Sequence, residues 1–348
     1  MASPVKDAVW LEWIAGLMGL GSRQTETATL PPGQFHCLLD ELPLHLIPQQ
    51  FGLTGRRRRN GERQLFFNPQ CSVLPPGQVP EELEQHRDLL SNFNLRRTIA
   101  WVREAGTGSL QPFWLGSQLE SALSSFRPGD PPPASIRADV RSLLAGAGIL
   151  IPDGYAENRV AEWASIVKKC AQQFQERGYA PLRHLIHPFH LAALRRYYRH
   201  AIRRGDIRLG DEHVPRRYVV HNDAVARIFH NQIANVVSAV VGETVKPSYV
   251  YLASYLGGAE LKKHTDRQQC EFSVTLCLDF SPEPQSATSW PICLDTKEGS
   301  VAVYQALGDG LVYRGTRLPH YRSRLADGHT STSIFFHYVH ENFAGPLE

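Results

Sequence analysis

The feature that most constrains the fold lies towards the C-terminus, where six short apolar stretches follow one another with no helix-length segment between them. They read "SYVYLASYL", "CEFSVTLCLDF", "SWPICLDT", "SVAVYQ", "GLVYRG" and "TSTSIFFHYV", and Gly, Pro, Asp and Ser turns separate them. Parallel pairing needs a long crossover, so strands joined this closely pair antiparallel and close as a sandwich or barrel. The β core is therefore expected over 247–340.

The preceding segment has a different texture. Val160, Trp163, Ile166, Val167, Cys170 and Phe174 recur three and four apart, which predicts an amphipathic helix over Glu157–Arg177. Pro188 opens a second helix, and Asn222 to Gly242 reads as a third, closed by glycine. Helices over 157–242 would buttress the sheet, giving an α+β domain over 151–348. Residues 1–150 hold two proline-rich breaks, "LPPGQVP" and "FRPGDPPP". A helix start at Pro80 and a helix from about Ser135 to Leu144, followed by a short strand, predict a mainly helical accessory region. Substrate recognition and simple packing against the second domain both fit it.

Net charge is only +3, from 37 Lys and Arg against 34 Asp and Glu, which argues against a nucleic-acid partner. Two basic features stand out. The run Arg56–Arg59 reads as a solvated turn, with a phosphate or acidic-partner patch as its alternative. Arg195, Arg196, Arg199, Arg203 and Arg204 interleave with Tyr197 and Tyr198, a pattern that a nucleic-acid groove and an exposed helix face share. The six cysteines form no CxxC pair, as expected of reduced thiols in a cytoplasmic protein. Ala8–Leu20 is interrupted by Glu12 and predicts a short amphipathic helix; no stretch is long enough to span a bilayer, so no membrane partner is expected.

The chemistry concentrates in "KKHTDRQQCEFSVTLCLDF". In an extended segment His264 and Asp266 point to the same side. His320, in "GDGLVYRGTRLPHYRSRL", supplies a third candidate ligand. Two imidazoles and a carboxylate can occupy one face of an octahedral metal and leave positions open for a co-substrate and oxygen. Zinc accepts the same ligands around an activated water.

The stretches "YLASYLGGAELKKHTD", "LGDGLVYRG" and "LPH" together resemble the Fe(II)/2-oxoglutarate-dependent dioxygenase superfamily. The resemblance implies a double-stranded β-helix (jelly-roll, cupin-like) core. It also implies Fe(II) on His264, Asp266 and His320 as metal-binding and catalytic residues, with 2-oxoglutarate and O2 as co-substrates. Members of that superfamily oxidise a C–H bond as 2-oxoglutarate is decarboxylated to succinate, and an intact Asp266 favours hydroxylation over halogenation. The arginine or lysine that usually holds the far carboxylate of 2-oxoglutarate would fall on His329, Thr330 or Ser331, so this chain departs from the pattern. Arg322, in phase with His320, is the first replacement, with Arg324 and Arg314 next; Tyr255, Tyr249 and Ser333 are further donors to that co-substrate.

The large N-terminal region exceeds what a free amino acid requires and favours a peptide, protein or carrier-attached substrate. A small natural product, a free amino acid or an alkylated nucleic acid are alternatives. A zinc hydrolase or a non-catalytic β scaffold are the readings outside the superfamily. His184, His187 and His190 straddle Pro188, which disfavours a second metal there, and His329, His337 and His340 are expected to be structural or substrate-facing.

Overall fold

Ten consecutive residues, Phe272–Ser281, form a strand that is buried on both faces for all but its last position. Two layers must therefore cover it, as the near-continuous apolar run "FSVTLCLDF" requires. The structure, a computed structural model, describes residues 33–42, 64–123, 127–211 and 214–348. The expected first helix at Ala8–Leu20 and the basic run Arg56–Arg59 lie outside the described residues.

In chain order the strands are β1 (Leu65–Phe67), β2 (Cys71–Leu74), β3 (Ile99–Arg103), β4 (Leu110–Trp114), β5 (Leu150–Pro152), β6 (Tyr179–Leu182), β7 (Arg208–Leu209) and β8 (Arg217–His221). They continue as β9 (Val245–Leu256), β10 (Leu261–His264), β11 (Phe272–Ser281), β12 (Ile292–Thr296), β13 (Gly299–Val303), β14 (Gly310–Tyr313), β15 (His320–Arg322) and β16 (Thr330–His340). A seven-stranded sheet has the order β6-β14-β11-β16-β9-β8-β7, and a four-stranded sheet the order β10-β15-β12-β13. All pairings in both are antiparallel. From β9 onward the chain passes back and forth between the two sheets. Ile292 and Leu294 of β12 pack on Tyr179, Leu311 and Tyr313 of the larger sheet, so an apolar core lies between them.

The helices are α1 (Glu81–Glu84), α2 (Ser117–Leu123), α3 (Ala138–Gly146), α4 (Tyr155–Arg177), α5 (Pro188–Arg204), α6 (Ala224–Gln232) and α7 (Ala234–Val241). The expected single helix over Asn222–Gly242 is thus two, broken at Ile233, whose φ of −94° and ψ of 1° leave the helical region. Helix α5 lies against β11, and α6 and α7 against β9. Asp279 of β11 anchors α5 by accepting from Arg195 Nε at 2.9 Å and from Arg199 Nε at 2.5 Å. The cationic face of α5 that suggested a nucleic-acid groove is in part spent on this anchor.

The expectation of a mainly helical N-terminal region is corrected. Among its described residues, β2, β3 and β4 form an antiparallel sheet and β1 pairs with β5. The reason is visible in "TIAWVRE" and "LQPFW", where apolar residues run together without a three-four rhythm. Among the described residues no helix is long and apolar enough to cross a membrane, and all six cysteines are free thiols.

Several histidines are built into this core as neutral rings. Burial pulls the pKa of His187 down to about 3, that of His190 to about 4 and that of His230 to about 3. His190 Nε2 donates to the Pro112 carbonyl at 2.8 Å and His230 Nε2 to the His337 carbonyl at 2.7 Å. Their folded pKa values lie below the unfolded value of about 6.5, so as pH falls through that value the unfolded chain takes up protons that the fold refuses. Stability should fall by up to roughly 4 kcal/mol per pH unit for three such rings between pH 6.5 and 5, above the range where most carboxylates titrate. Denaturant midpoints measured across that window check this; a flat profile would contradict it.

Candidate metal centre

Strand β10 ends on His264 and β15 begins on His320, and their antiparallel register sets the two histidines directly opposite each other. Asp266 follows two residues after His264, and its backbone N–H donates to the Gly315 carbonyl at 2.9 Å, which turns the carboxylate inward. Asp266 Oδ1 lies 3.7 Å from His264 Nε2 and 3.4 Å from His320 Nε2. One ligand atom from each of the three side chains falls within 4.8 Å of the others, so the group could hold a metal ion.

The outer contacts fix which atoms face the centre. Nδ1 of His264 lies 2.8 Å from the Lys262 carbonyl and Nδ1 of His320 lies 3.0 Å from the Leu318 carbonyl. A carbonyl only accepts, so both Nδ1 atoms carry a proton, and Nε2 of each ring faces the centre. Asp266 Oδ2 accepts from Ser273 Oγ at 2.8 Å, and Ser273 Oγ in turn accepts from His337 Nδ1 at 2.9 Å. Oδ1 is thereby left facing the two Nε2 atoms, as the oxygen a metal would take. Burial raises the Asp266 pKa, but the His320 ring and the Ser273 hydroxyl outweigh it and hold the value at about 2. Gly315 is required here, because a Cβ on it would stand 2.4 Å from the Cys270 carbonyl oxygen and 2.5 Å from Asp266 Oδ2.

An overlapping group, Asp266 with Cys270 and His337, also meets the spacing for a metal. Its thiol is a poor ligand as it stands: burial pushes the Cys270 pKa up to about 12, and Sγ lies 3.0 Å from the Tyr249 hydroxyl in a hydrogen bond. Ligation needs the thiolate, so His264, Asp266 and His320 are the better-prepared set.

A cavity of about 890 Å³ opens over these three side chains, with Arg217, Tyr249, Tyr251, Tyr255, Arg267 and Phe335 on its walls. Tyr249 and Tyr255 are therefore at the site, Tyr255 accepting from Arg217 Nη1 at 3.1 Å. Arg322 is buried behind the wall, stacked 4.8 Å from the Trp290 ring centre, with Nη1 donating to the Trp290 carbonyl at 2.7 Å. Among the described residues no carboxylate pairs with it, and its Nε and the buried Ser333 hydroxyl both lack a partner. Ser333 stands opposite Cys277 in the β11–β16 register, and the Cys277 thiol feels the Arg322 charge, so all three border one interior region. Arg324 instead pairs with Asp327 on the surface, and Arg314 stacks on Phe174 and Phe272. None of Arg314, Arg322, Arg324 and Ser333 lines the cavity itself, and of the three arginines Arg322 alone is buried, without an ion-pair partner among the described residues.

Ser273, Gly315, Arg217 and Arg267 also stand at the site, with no motif in the sequence that marks them for a role there. Arg217 reaches the site only because β8 pairs with β9, setting it opposite Tyr255, and no local pattern in "PRRYVVH" announces that pairing. Arg267 adjoins Asp266, and that adjacency was its available signal.

No protein-family model matches the chain, and no curated protein matches it. Among solved structures, the non-heme α-ketoglutarate-dependent epimerase SnoN from nogalamycin biosynthesis is 12% identical, covering 51% of this chain and 83% of its own, with a TM-score of 0.43. A Pseudomonas putida prolyl-4-hydroxylase is 15% identical over 51% of this chain and 100% of its own, with a TM-score of 0.42. HygX from Streptomyces hygroscopicus, solved with nickel, 2-oxoglutarate and hygromycin B, is 12% identical over 51% and 88%, with a TM-score of 0.40. These are distant likenesses, and what the centre can do follows from its own geometry.

Removing the hydroxyl that orients Asp266 should loosen the centre without dismantling the fold. Ser273→Ala is expected to weaken divalent-metal binding by roughly 10-fold or more, the usual cost of losing an outer-shell partner. Anaerobic metal titration of a variant with unchanged circular dichroism checks it; an unchanged affinity would show that Asp266 is positioned without Ser273.

Proposed function

We propose that this protein is an Fe(II)- and 2-oxoglutarate-dependent oxygenase that hydroxylates an unactivated C–H bond. The observation that carries the reading is the facing pair of Nε2 atoms with Asp266 Oδ1 beside them, beneath a cavity large enough for a co-substrate and a substrate together. Two imidazoles and one carboxylate suit Fe(II), and the alternation of the chain between the two sheets from β9 onward supports a double-stranded β-helix. Iron bound here, with 2-oxoglutarate and O2, supplies the oxidation of the C–H bond, with succinate and carbon dioxide released.

The chain's own residues prepare that chemistry. His264 and His320 hold their tautomers through backbone carbonyls, and Asp266 is held to one free oxygen by Ser273. Arg322 answers the need for a permanent cation at the far carboxylate of 2-oxoglutarate. A guanidinium stays charged even here, where burial pulls its pKa down, and such a buried charge is costly unless a ligand pairs it. The orphaned Arg322 Nε and Ser333 Oγ offer two donors to that carboxylate. Arg217, already paired with Asp211 at 2.6 Å, is the lesser candidate for the clamp. The size of the cavity supports a peptide, protein or carrier-attached group as the prime substrate rather than a free amino acid.

Anaerobic addition of Fe(II) and 2-oxoglutarate should produce the weak visible charge-transfer band of the chelate. Tight stoichiometric zinc with no such band would favour a hydrolase instead. Arg322→Ala should raise the 2-oxoglutarate concentration needed for half-saturation by roughly 10-fold or more, as loss of a charge-assisted contact worth about 1.5–3 kcal/mol implies. Arg322→Gln, closer in volume, covers the case in which alanine disturbs folding. Arg324→Ala should change little. An unchanged 2-oxoglutarate dependence in both Arg322 variants would remove Arg322 from the clamp.

A further inference from the structure

The walls of the metal cavity are unbalanced in charge. Among its described lining residues, Arg208, Arg217, Lys262 and Arg267 face only two carboxylates, Asp211 and Asp266. Asp211 is engaged by Arg217 and by the Tyr251 hydroxyl at 3.0 Å, and Asp266 belongs to the metal centre. Arg208, Lys262 and Arg267 have no carboxylate partner among the described residues.

Arg267 is the best prepared of the three. Its Nε donates to the Tyr249 hydroxyl at 3.2 Å, and its guanidinium lies 4.5 Å from the centre of the same ring. These contacts, with the Cys270 thiol as a further partner, hold the planar group beside Asp266 at the cavity wall, and a guanidinium fixed in this way suits a carboxylate or phosphate. Its field reaches across the cavity: the pKa of His221 is lowered by burial first, then by Arg267 and Arg217.

The neighbouring lysines make a useful contrast. Lys263 is used within the fold, paired with Asp295 at 2.5 Å and lying over the Tyr321 ring. Lys262, one residue earlier, is exposed and lines the cavity without such a partner. Of the two lysines, the one without a carboxylate partner is the one that lines the cavity. Were the cavity built for a neutral substrate, like charges gathered there would only repel one another.

We propose that the substrate oxidised at this centre carries an anionic group, a carboxylate or a phosphate, received by Arg267 with help from Lys262. This rests on the oxygenase reading above. The 2-oxoglutarate dianion is accounted for by the metal and Arg322, so the excess positive charge at Arg267 and Lys262 serves the second ligand. Tyr251 and Phe335 flank the same space and offer apolar surface to the remainder of the molecule.

The test uses the full chain with Fe(II) and saturating 2-oxoglutarate without oxygen, so that the co-substrate position is filled. Equilibrium dialysis then compares two matched pairs, N-acetylglutamate α-amide against N-acetylglutamine α-amide and N-acetyl-O-phosphoserine amide against N-acetylserine amide. At low ionic strength the acidic member of at least one pair should bind roughly 10-fold or more tightly than its neutral partner, the scale of one charge-assisted contact. Arg267→Gln should abolish that preference and Lys262→Gln reduce it, while both variants keep the chelate band. The pair that responds identifies carboxylate or phosphate as the group recognised. A wild type that forms the band yet shows no preference in either pair overturns this inference alone, as does a preference that survives Arg267→Gln. A wild type that forms no band overturns the oxygenase reading and this inference with it.

Discussion

Everything at the candidate centre depends on one strand pairing. Leu261–His264 and His320–Arg322 are short, and each has little stability of its own, yet their register brings His264 and His320 face to face. A slip by one residue would turn one imidazole to the opposite side of the sheet. The register is held from outside the site. β15 also pairs with β12, Leu294 standing opposite His320, and β12 is packed through Ile292 and Leu294 onto the larger sheet. The rigidity of the centre is thus borrowed from the apolar layer between the sheets.

The same two strands divide their work by alternation. Along β15, His320 and Arg322 face inward and Tyr321 lies between them on the other side, where Lys263 covers its ring. Along β10, whose register shifts between Leu261 and His264, Lys262 and His264 line the cavity while Lys263 turns to Asp295. The two-residue period of a strand therefore sorts functional from structural side chains within a few positions. Behind this first layer, Ser273 and His337 reach the carboxylate of Asp266 from β11 and β16, which are neighbours in the seven-stranded sheet. The ligand set is local in sequence, but its orientation depends on both sheets.

That division explains how much could be read beforehand. The long strands β9, β11 and β16 were legible because each carries enough β-branched and aromatic residues to announce itself. The short β10 and β15 were not, since three or four residues show no period; His264, Asp266 and His320 could be picked out only by their spacing and chemistry. Arg322 was legible as in phase with His320, but its burial against Trp290 and its orphaned Nε depend on packing that no local pattern encodes. The break at Ile233 was hidden because neither glycine nor proline marks it, and the N-terminal strands because a short apolar run suits a buried helix as well as a strand. Arg217 and Arg267 acquire meaning only from the cavity that non-adjacent strands enclose.

The central claim is that His264, Asp266 and His320, and not the overlapping group of Asp266, Cys270 and His337, receive the metal. X-ray absorption at the iron edge of the anaerobically loaded protein separates them, because only the second group contains sulfur. The account predicts a first shell of nitrogen and oxygen scatterers at roughly 2.0–2.2 Å, as imidazole and carboxylate ligands give, with an imidazole outer-shell pattern and no sulfur. A sulfur scatterer near 2.3 Å, the distance typical of thiolate ligation, would contradict it.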